Sequence, residues 1–150
     1  MPSISTCLLF KTQAEEAVRY YLSIFEDGKI TKTMNGPDGS VMALEWELFG
    51  RSFMALNGPA AEFNQSLSIL VSCDNQAQID RYWAKLTEGG KEVQCGWLVD
   101  KYGVSWQIVP KIIGELMSSP NRAKAGAAMQ AMFGMKKLDV AGLQRAYDAA

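Results

Sequence analysis

The sequence predicts an α+β fold made of two strand–helix–three-strand (βαβββ) modules and a C-terminal helical hairpin. Two observations predict the modules: one order of strand and helix patterns occurs twice, and a set of residue letters recurs with it. A third predicts the hairpin, because strand patterns stop at Pro110 and only helical patterns follow. We therefore expect paired modules, at 1–58 and 66–110, to form one domain over 1–110, with a helical extension over 111–150.

The repeated letters lie where each module passes from its first strand into its helix. Residues 13–15 (Gln-Ala-Glu) precede 19–21 (Arg-Tyr-Tyr), and residues 76–78 (Gln-Ala-Gln) precede 81–83 (Arg-Tyr-Trp). The two sets match at an offset of 63 residues that slips to 62. A shared helix composition could produce this match, but with the repeated element order it indicates an internal duplication.

The first module shows a strand, a helix and three more strands. Thr12 and Glu15 predict a capping box at the start of the helix, and Gly28 suits the left-handed position after a helix. The segment 37–39 (Pro-Asp-Gly) and Gly50 are turn residues between the later strands. The strands are predicted at 4–10, 29–34, 41–49 and 52–57, and the helix at 14–25.

The second module repeats this order after a polar connection over 58–65. Asp74 or Asn75 is the expected N-cap of its helix, and the two glycines at 89–90 end it. The buried face of this helix is predicted to contain Ile79, Tyr82, Trp83 and Leu86. The strands are predicted at 67–73, 91–93, 97–99 and 104–109.

The last strand of the second module carries the most informative alternation. Asp100 to Gly103 is a turn, in which Gly103 can take a positive φ, and Pro110 ends the strand because it cannot donate a ladder hydrogen bond. Alternation places Trp106 on the core face and Gln107 at the centre of the opposite face. Gln107 needs a partner there, either a ligand or a neighbouring group of the protein.

The extension contains two predicted helices. Ser119 is the expected N-cap of the first, with Pro120 at its first position, and Asp139 is the expected N-cap of the second. Lys136 and Lys137 are expected to complement the dipole at the end of the first helix. This helix has a stripe of small residues and methionines, which we expect to pack against the chain's own sheet or a second subunit rather than to cover a ligand. The stripe consists of Ala125, Ala128, Met129 and Met132.

Composition excludes several classes of partner. The formal net charge of −1 gives no attraction to nucleic acid or to an anionic membrane. No apolar run approaches the ~20 residues of a membrane span, and the N-terminus lacks a signal-peptide pattern. We therefore expect a cytoplasmic protein without nucleic-acid or membrane partners. Cys7, Cys73 and Cys95 predict buried free thiols in a reducing compartment rather than a disulfide or a metal site.

One block of the chain is distinctive: residues 95–98 (Cys-Gly-Trp-Leu) followed by 103–110 (Gly-Val-Ser-Trp-Gln-Ile-Val-Pro). Weaker matches lie at 14–17, 20–21, 55–58, 78–83, 129–132 and 135–137. Together these segments resemble the PhnB-like branch of the vicinal oxygen chelate superfamily, which includes glyoxalase I, extradiol dioxygenases and bleomycin-resistance proteins. The branch is often labelled 3-demethylubiquinone-9 3-methyltransferase. The resemblance implies that the two βαβββ modules form a cup-shaped mixed sheet.

The resemblance also implies a divalent metal, held by His, Glu or Gln side chains from the first and last strands of each module. The chain has no histidine, and neither the strand predicted at 4–10 nor residues 53–57 of the fourth strand contain a carboxylate. The strand at 67–73 offers only hydroxyls, among them Ser68, and Gln107 alone stands where the family places its last ligand. One amide and hydroxyls cannot hold such a metal tightly. We expect no metal and no cofactor.

The methyltransferase label receives no support from the sequence. An S-adenosylmethionine enzyme usually cradles its cofactor on a glycine-rich turn after the first strand of a doubly wound sheet. Here the first strand leads into 11–13 (Lys-Thr-Gln), which contains no glycine.

Two carboxylates are further candidates for a site. Glu45 and Glu47 flank Trp46 on the third strand, so they share one face at a separation of about 6–7 Å. If that face lines a pocket, the like charges would favour a proton on one of them and offer a general base. The alternative is that both decorate a solvated sheet face.

Three hypotheses for function remain. We predict a metal-independent protein that binds a small molecule, in which Gln107, Trp97, Ser68, Glu45 and Glu47 form the ligand site. The second hypothesis is an enzyme of the lyase, isomerase or transferase type that acts on a small oxygenated substrate with a glutamate as base. The third is a scaffold whose cup is filled by side chains. Since members of this fold commonly pair, we expect a homodimer.

Overall fold

One arrangement of strands occurs twice in the structure. The computed structural model describes residues 1–150, and the chain divides into two units, 1–62 and 63–150. The first unit contains β1 (Thr6–Phe10), α1 (Ala14–Ile24), β2 (Gly28–Asn35), β3 (Val41–Leu48) and β4 (Arg51–Asn57). Its sheet has the strand order β1-β4-β3-β2, in which β1 is parallel to β4 and the other neighbours are antiparallel.

The second unit repeats this topology and adds the helical extension. It contains β5 (Ser68–Cys73), α2 (Gln76–Thr87), β6 (Lys91–Glu92), β7 (Trp97–Val99), β8 (Ser105–Pro110), α3 (Ile112–Met117), α4 (Arg122–Phe133) and α5 (Val140–Ala149). The strand order is β5-β8-β7-β6, and β5 is parallel to β8. The α+β fold with its two βαβββ modules is confirmed. The grouping of both modules into one domain stays a prediction.

The core of the first unit lies between α1 and one face of its sheet. The indole of Trp46 stacks on the ring of Phe53 at 4.6 Å and on that of Tyr21 from α1 at 5.7 Å between ring centroids. Burial of these large rings supplies much of the apolar area that stabilises the unit. The sheet residues on this buried face include Leu8, Phe10, Leu44, Trp46, Phe53 and Ala55.

The core of the second unit lies between α2 and the face of its sheet that carries Trp106. Trp106, Leu98 and Ile108 are fully buried, as predicted for Trp106 from strand alternation. The turn before β8 is also confirmed: Gly103 has φ +89°, and the carboxylate of Asp100 accepts the N–H groups of Tyr102 and Val104. Asn75 is the N-cap of α2, and its side chain accepts from the Gln78 N–H.

Both ends of α1 differ from the sequence predictions. No side chain from the preceding segment caps the helix, so the capping box of Thr12 and Glu15 is wrong. Instead the Ala14 N–H donates to Asn57 Oδ1 at 2.9 Å, from the end of β4. Gly28 does not adopt a left-handed conformation and is the first residue of β2. Glycine is required there because an added Cβ would lie 2.9 Å from the Glu47 carbonyl oxygen.

The extension differs from the sequence predictions in three places. It begins with α3, a short helix that the sequence analysis did not predict. The N-cap of α4 is Asn121, two residues after the predicted Ser119, and its side chain accepts from the Lys124 N–H. Lys136 and Lys137 lie beyond the end of α4, so they do not complement its dipole; Lys137 Nζ pairs with Asp80 of α2 at 2.7 Å.

Packing within the extension involves all three helices. Leu116, Ala128, Leu138 and Leu143 form its buried cluster, and Val109 of β8 packs against them. Of the predicted stripe, Ala125 and Ala128 are buried, whereas Met129 is 39% exposed. None of the helices combines the length and apolar character needed to cross a membrane.

Candidate functional site

Each sheet has one face covered by the helix of its own module, so candidate residues lie on the other face. Strand registers define two such faces. We call them the Glu face, in the first unit, and the Gln face, in the second. The Glu face consists of Cys7, Leu9, Ala43, Glu45, Glu47, Ser52, Met54 and Leu56. The Gln face consists of Ser68, Leu70, Ser72, Trp97, Val99, Ser105, Gln107 and Val109.

The Gln face brings together three of the five predicted site residues. Gln107 lies at the centre of β8, where the registers place it between Trp97 on β7 and Leu70 on β5. Its Nε2 donates to Ser68 Oγ at 2.9 Å. Gln107, Trp97 and Ser68 therefore form one group, and Gln107 has the protein partner that its position required.

After this bond forms, the Gln107 amide oxygen can still accept a hydrogen bond and the Ser68 hydroxyl can still donate one. A glutamine amide has an acceptor oxygen in addition to its donors, and a serine hydroxyl that accepts a bond retains its own proton to donate. The bond from Gln107 to Ser68 polarises the hydroxyl and fixes the amide plane. Gln107 and Trp97 are both half-buried, so a ligand can reach an acceptor, a donor and an aromatic surface on one face.

Ser105 is a member of the Gln face that sequence reasoning did not select. It lies opposite Ser68 on β5 and Val99 on β7. Its side chain is 2% exposed, and its Oγ has no hydrogen-bond partner. A buried hydroxyl without a partner is uncommon and costs free energy. Strand alternation places Ser105 on the same face as Gln107, but no sequence pattern indicates its burial.

The Glu face holds both predicted carboxylates, but each has a lysine opposite it. Lys29 on β2 pairs with Glu47 at 3.8 Å, and Lys32 lies opposite Glu45 in the register. The two glutamates therefore alternate with cations across neighbouring strands rather than forming an isolated pair of like charges. This arrangement is typical of a solvated sheet face.

The duplication relates the candidate residues of the two units. The parallel pairs end equivalently, at Phe10 with Asn57 and at Cys73 with Pro110. Three residues before each of these ends lies an equivalent register pair, which together with its partner on the third strand forms one row across the sheet. The equivalent rows are Cys7, Met54 and Glu45 in the first unit and Leu70, Gln107 and Trp97 in the second. Glu45, Gln107 and Trp97, predicted separately, thus occupy related positions.

The three cysteines have different environments. None forms a disulfide, and only Cys73 is buried; Cys95 is half-buried and Cys7 is exposed on the Glu face. The prediction of three buried thiols is therefore wrong for Cys7 and only partly right for Cys95. Partial desolvation raises the pKa of the Cys7 thiol, which opposes thiolate formation.

The donor set does not fit the divalent metal that the fold family implies. The equivalent rows offer one carboxylate, from Glu45, and one amide, from Gln107, and these belong to different units. No group of three or more His, Cys, Asp or Glu residues in the chain could hold a metal ion. Hard divalent ions in proteins prefer several oxygen or nitrogen ligands in one site.

The family model described as 3-demethylubiquinone-9 3-methyltransferase matches residues 2–109. A PhnB protein from Bacillus cereus is 30% identical, with a TM-score of 0.67, and the match covers 73% of this chain and 99% of that one. No curated protein shows significant similarity to the chain.

Two further structures share the fold at lower identity. Protein PA1353 from Pseudomonas aeruginosa is 18% identical with a TM-score of 0.60, over 73% of this chain and 98% of its own. The fosfomycin resistance protein FosX from Mesorhizobium loti is 13% identical with a TM-score of 0.60, over 79% of this chain and 98% of its own. The family model ends at residue 109, within β8, so α3, α4 and α5 lie outside it.

Proposed function

We propose that this chain, which belongs to the family described as 3-demethylubiquinone-9 3-methyltransferase and to the PhnB-like branch of the vicinal oxygen chelate superfamily, binds a small molecule on its Gln face. The ligand is an uncharged planar compound with a hydrogen-bond donor next to an acceptor, such as a lactam. Binding requires no metal ion. The observation that carries the proposal is the bond from Gln107 to Ser68 beside Trp97.

The chemistry of the Gln face supports this ligand class. The free oxygen of the Gln107 amide accepts from a ligand N–H, and the Ser68 hydroxyl donates to a ligand carbonyl. Trp97 supplies an aromatic surface on which a planar ring can stack. The row around Gln107 contains no charged side chain, which favours a neutral ligand over an ion.

Metal independence rests on the donor set and has a direct test. Metal content is measured on freshly purified protein, and melting temperature is recorded with Ni²⁺, Zn²⁺, Mn²⁺, Co²⁺ and Fe²⁺. We expect substoichiometric metal and no change in melting temperature. A metal ion that bound the native state alone would raise the melting temperature. A stoichiometric metal, or stabilisation of several degrees by one ion, would overturn this part of the proposal.

Neither methyl transfer nor glutamate base catalysis is proposed. The segment between β1 and α1 contains no glycine, and the first sheet is not doubly wound. Glu45 and Glu47 have lysines opposite them, as expected for surface charges. The family match therefore assigns the chain to a family, but we do not propose the methyltransferase activity in the family's description.

Binding is tested with a library of neutral aromatic lactams and amides, with 2-quinolone as the first probe. Saturation-transfer NMR detects contact, and titration followed by tryptophan ¹⁹F NMR measures affinity. We expect saturable binding that falls at least tenfold in Gln107→Ala and in Ser68→Ala, since each loses one hydrogen bond to the ligand.

Ser72→Ala is the matched control. Ser72 lies on the same strand and the same face as Ser68 and is exposed, but the bond from Gln107 goes to Ser68. The affinity of the Ser72→Ala variant for each library hit should equal that of the unaltered chain. If no library member binds saturably, or if Gln107→Ala binds every hit equally well, the proposed function is wrong.

We also propose that the chain is a homodimer. Met129 and Phe133 lie one turn apart on α4 and are 39% and 50% exposed, which leaves two large apolar side chains beside each other on the surface. Light scattering at micromolar concentration should give the mass of a dimer, and Phe133→Ser should shift the equilibrium toward monomer. A monomer mass for the unaltered chain would contradict the proposal.

A further inference from the structure

The turn between β6 and β7 has an unusual backbone. The Trp97 N–H donates to the Gln94 carbonyl at 3.1 Å, and the two residues between them, Cys95 and Gly96, have φ values of +60° and +84°. Positive φ at both central residues is characteristic of a type I′ turn, in which Asn or Gly usually precedes Gly. Cysteine rarely adopts this conformation, so other contacts must hold it there.

Those contacts come from the C-terminal extension. The Cys95 N–H donates to the Met135 carbonyl and the Gly96 N–H donates to the Lys136 carbonyl, each at 2.8 Å. The side chain of Gln94 donates to the Phe133 carbonyl at 3.2 Å. In an ordinary two-residue hairpin the central N–H groups face water. Here three hydrogen bonds tie the turn to the last residue of α4 and to the segment that follows it.

Steric contacts fit the same arrangement. Leu138 is fully buried, and a Cβ on Gly96 would lie 3.0 Å from its Cδ1 and 2.9 Å from the Ile108 carbonyl oxygen. The Ile108 N–H in turn donates to the Gly96 carbonyl at 2.8 Å. The turn is therefore held between the extension and β8, the strand that carries Gln107.

The extension is itself fastened to α2. The side chain of Gln76 donates to the Leu138 carbonyl at 3.0 Å and accepts from the Val140 N–H at 2.8 Å. Asp80, one helical turn later, pairs with Lys137 at 2.7 Å. The segment 135–140 therefore bonds to α2 on one side. On its other side it bonds to the turn at 94–97.

We infer that the C-terminal extension is a positioning element for Trp97: through the carbonyls of Met135 and Lys136 it holds the Gln94–Trp97 turn and thereby sets where the indole lies beside Gln107. Trp97 is the last residue of that turn and the register partner of Gln107. Val109, on the same face as Gln107, packs against the extension. The role of Trp97 in ligand affinity rests on the proposed function, whereas its positioning by the extension does not.

The test weakens the attachment of the extension to α2 without altering the Gln face. Gln76→Ala removes both bonds from Gln76 to the segment 138–140. Gln78→Ala is the matched control, because Gln78 lies in the same helical turn and accepts from the Asp74 N–H but does not contact the extension. Both variants are made in the full chain labelled with ¹⁵N and with 5-fluorotryptophan, and Trp97→Phe assigns the fluorine resonance of Trp97.

In Gln76→Ala we expect amide hydrogen exchange at Cys95 and Gly96 to accelerate at least tenfold and the ¹⁹F resonance of Trp97 to shift or broaden. The Trp106 resonance should stay in place, which distinguishes loss of positioning from general unfolding. Gln78→Ala should change neither observable. If exchange accelerates while the Trp97 resonance is unchanged, or if the two variants behave alike, the inference is wrong.

The affinity arm separates this inference from the proposed function. If 2-quinolone or another library hit binds the unaltered chain, Gln76→Ala should weaken it at least threefold with Gln107 and Ser68 intact. Unchanged affinity with a displaced Trp97 resonance would overturn the functional part of the inference. Absence of any binding to the unaltered chain would overturn the proposed function while the exchange and fluorine data still decide the positioning role.

Discussion

The indole nitrogen of Trp106 donates to Asp100 Oδ2 at 2.9 Å, and both side chains are buried in the second unit. Asp100 is 3% exposed, and its other oxygen accepts the Tyr102 and Val104 N–H groups. One carboxylate therefore closes the turn that begins β8 and satisfies the indole N–H of a fully buried tryptophan. Such a buried charge is tolerated because hydrogen bonds occupy both oxygens.

Asp100→Asn should destabilise the protein by about 3 kcal/mol, since hydrogen bonds to a charged acceptor contribute more than neutral ones and the new amide N–H₂ would face the Trp106 donor. Urea unfolding measures the change. Asp38→Asn is the control, because Asp38 accepts from Ser40 in an exposed turn, and its loss should change stability little. Equal effects in the two variants would contradict the assigned role of Asp100.

Asn57→Ala should destabilise the protein by about 1–2 kcal/mol through loss of the α1 cap. The Asn57 side chain accepts from the Ala14 N–H and donates to the Val41 carbonyl at 3.1 Å, so it joins α1, β3 and β4. Denaturant unfolding and helix signal by circular dichroism measure the effect. Asn64→Ala, which removes an exposed bond to the Ser66 N–H in the connection, should change stability little.

The local patterns of the second module predict the strand that carries Gln107 and the turn before it. Period-two alternation along β8 separates Trp106 from Gln107, and the turn residues from Asp100 to Gly103 fix where β8 begins. Both properties depend on neighbouring residues in the chain. The sequence therefore identifies Gln107 as a polar residue on the face opposite the core.

Long-range contacts account for the errors. The cap of α1 comes from Asn57, 43 residues away, and the requirement for glycine at position 28 comes from the close approach of the Glu47 carbonyl on β3. The partner of Gln107 depends on the parallel register of β5 and β8, which sequence alternation alone does not give. The sequence predicts that Lys137 complements a helix dipole, because nothing local indicates its partner, Asp80.

The ion pair of Asp80 and Lys137 should make docking of the extension pH-dependent. The hydrogen bond from Lys137, with a second from Gln76, lowers the pKa of Asp80 below its ordinary value of 3.8. Because the pKa is lower in the folded state, its contribution to stability is present above the unfolded value and is lost as pH falls through the folded pKa.

Unfolding of Asp80→Asn and the unaltered chain is therefore compared from about pH 6 downward. The stability difference should be largest at the upper end, shrink below pH 3.8 and vanish in stronger acid. Asp148→Asn is the control, since Asp148 accepts only from Gln144 and has no lysine partner. A difference that stays constant across the range would exclude the ion pair as its cause.

Two glycine-to-alanine substitutions should have opposite effects on stability. At Gly28 an added Cβ would lie 2.6 Å from Leu22 Cδ2 and 2.9 Å from the Glu47 carbonyl oxygen, and the backbone atom cannot move without disturbing the pairing of β2 with β3. We expect Gly28→Ala to destabilise the chain by about 1–3 kcal/mol, the usual cost of overpacking.

At Gly126, inside α4, nothing lies within 4 Å of the new Cβ. Gly126→Ala should stabilise the chain by about 0.5–1 kcal/mol, because alanine loses less backbone entropy in a helix. Thermal and urea unfolding measure both, and a neutral Gly28→Ala would show that β2 starts with more space than the structure gives it.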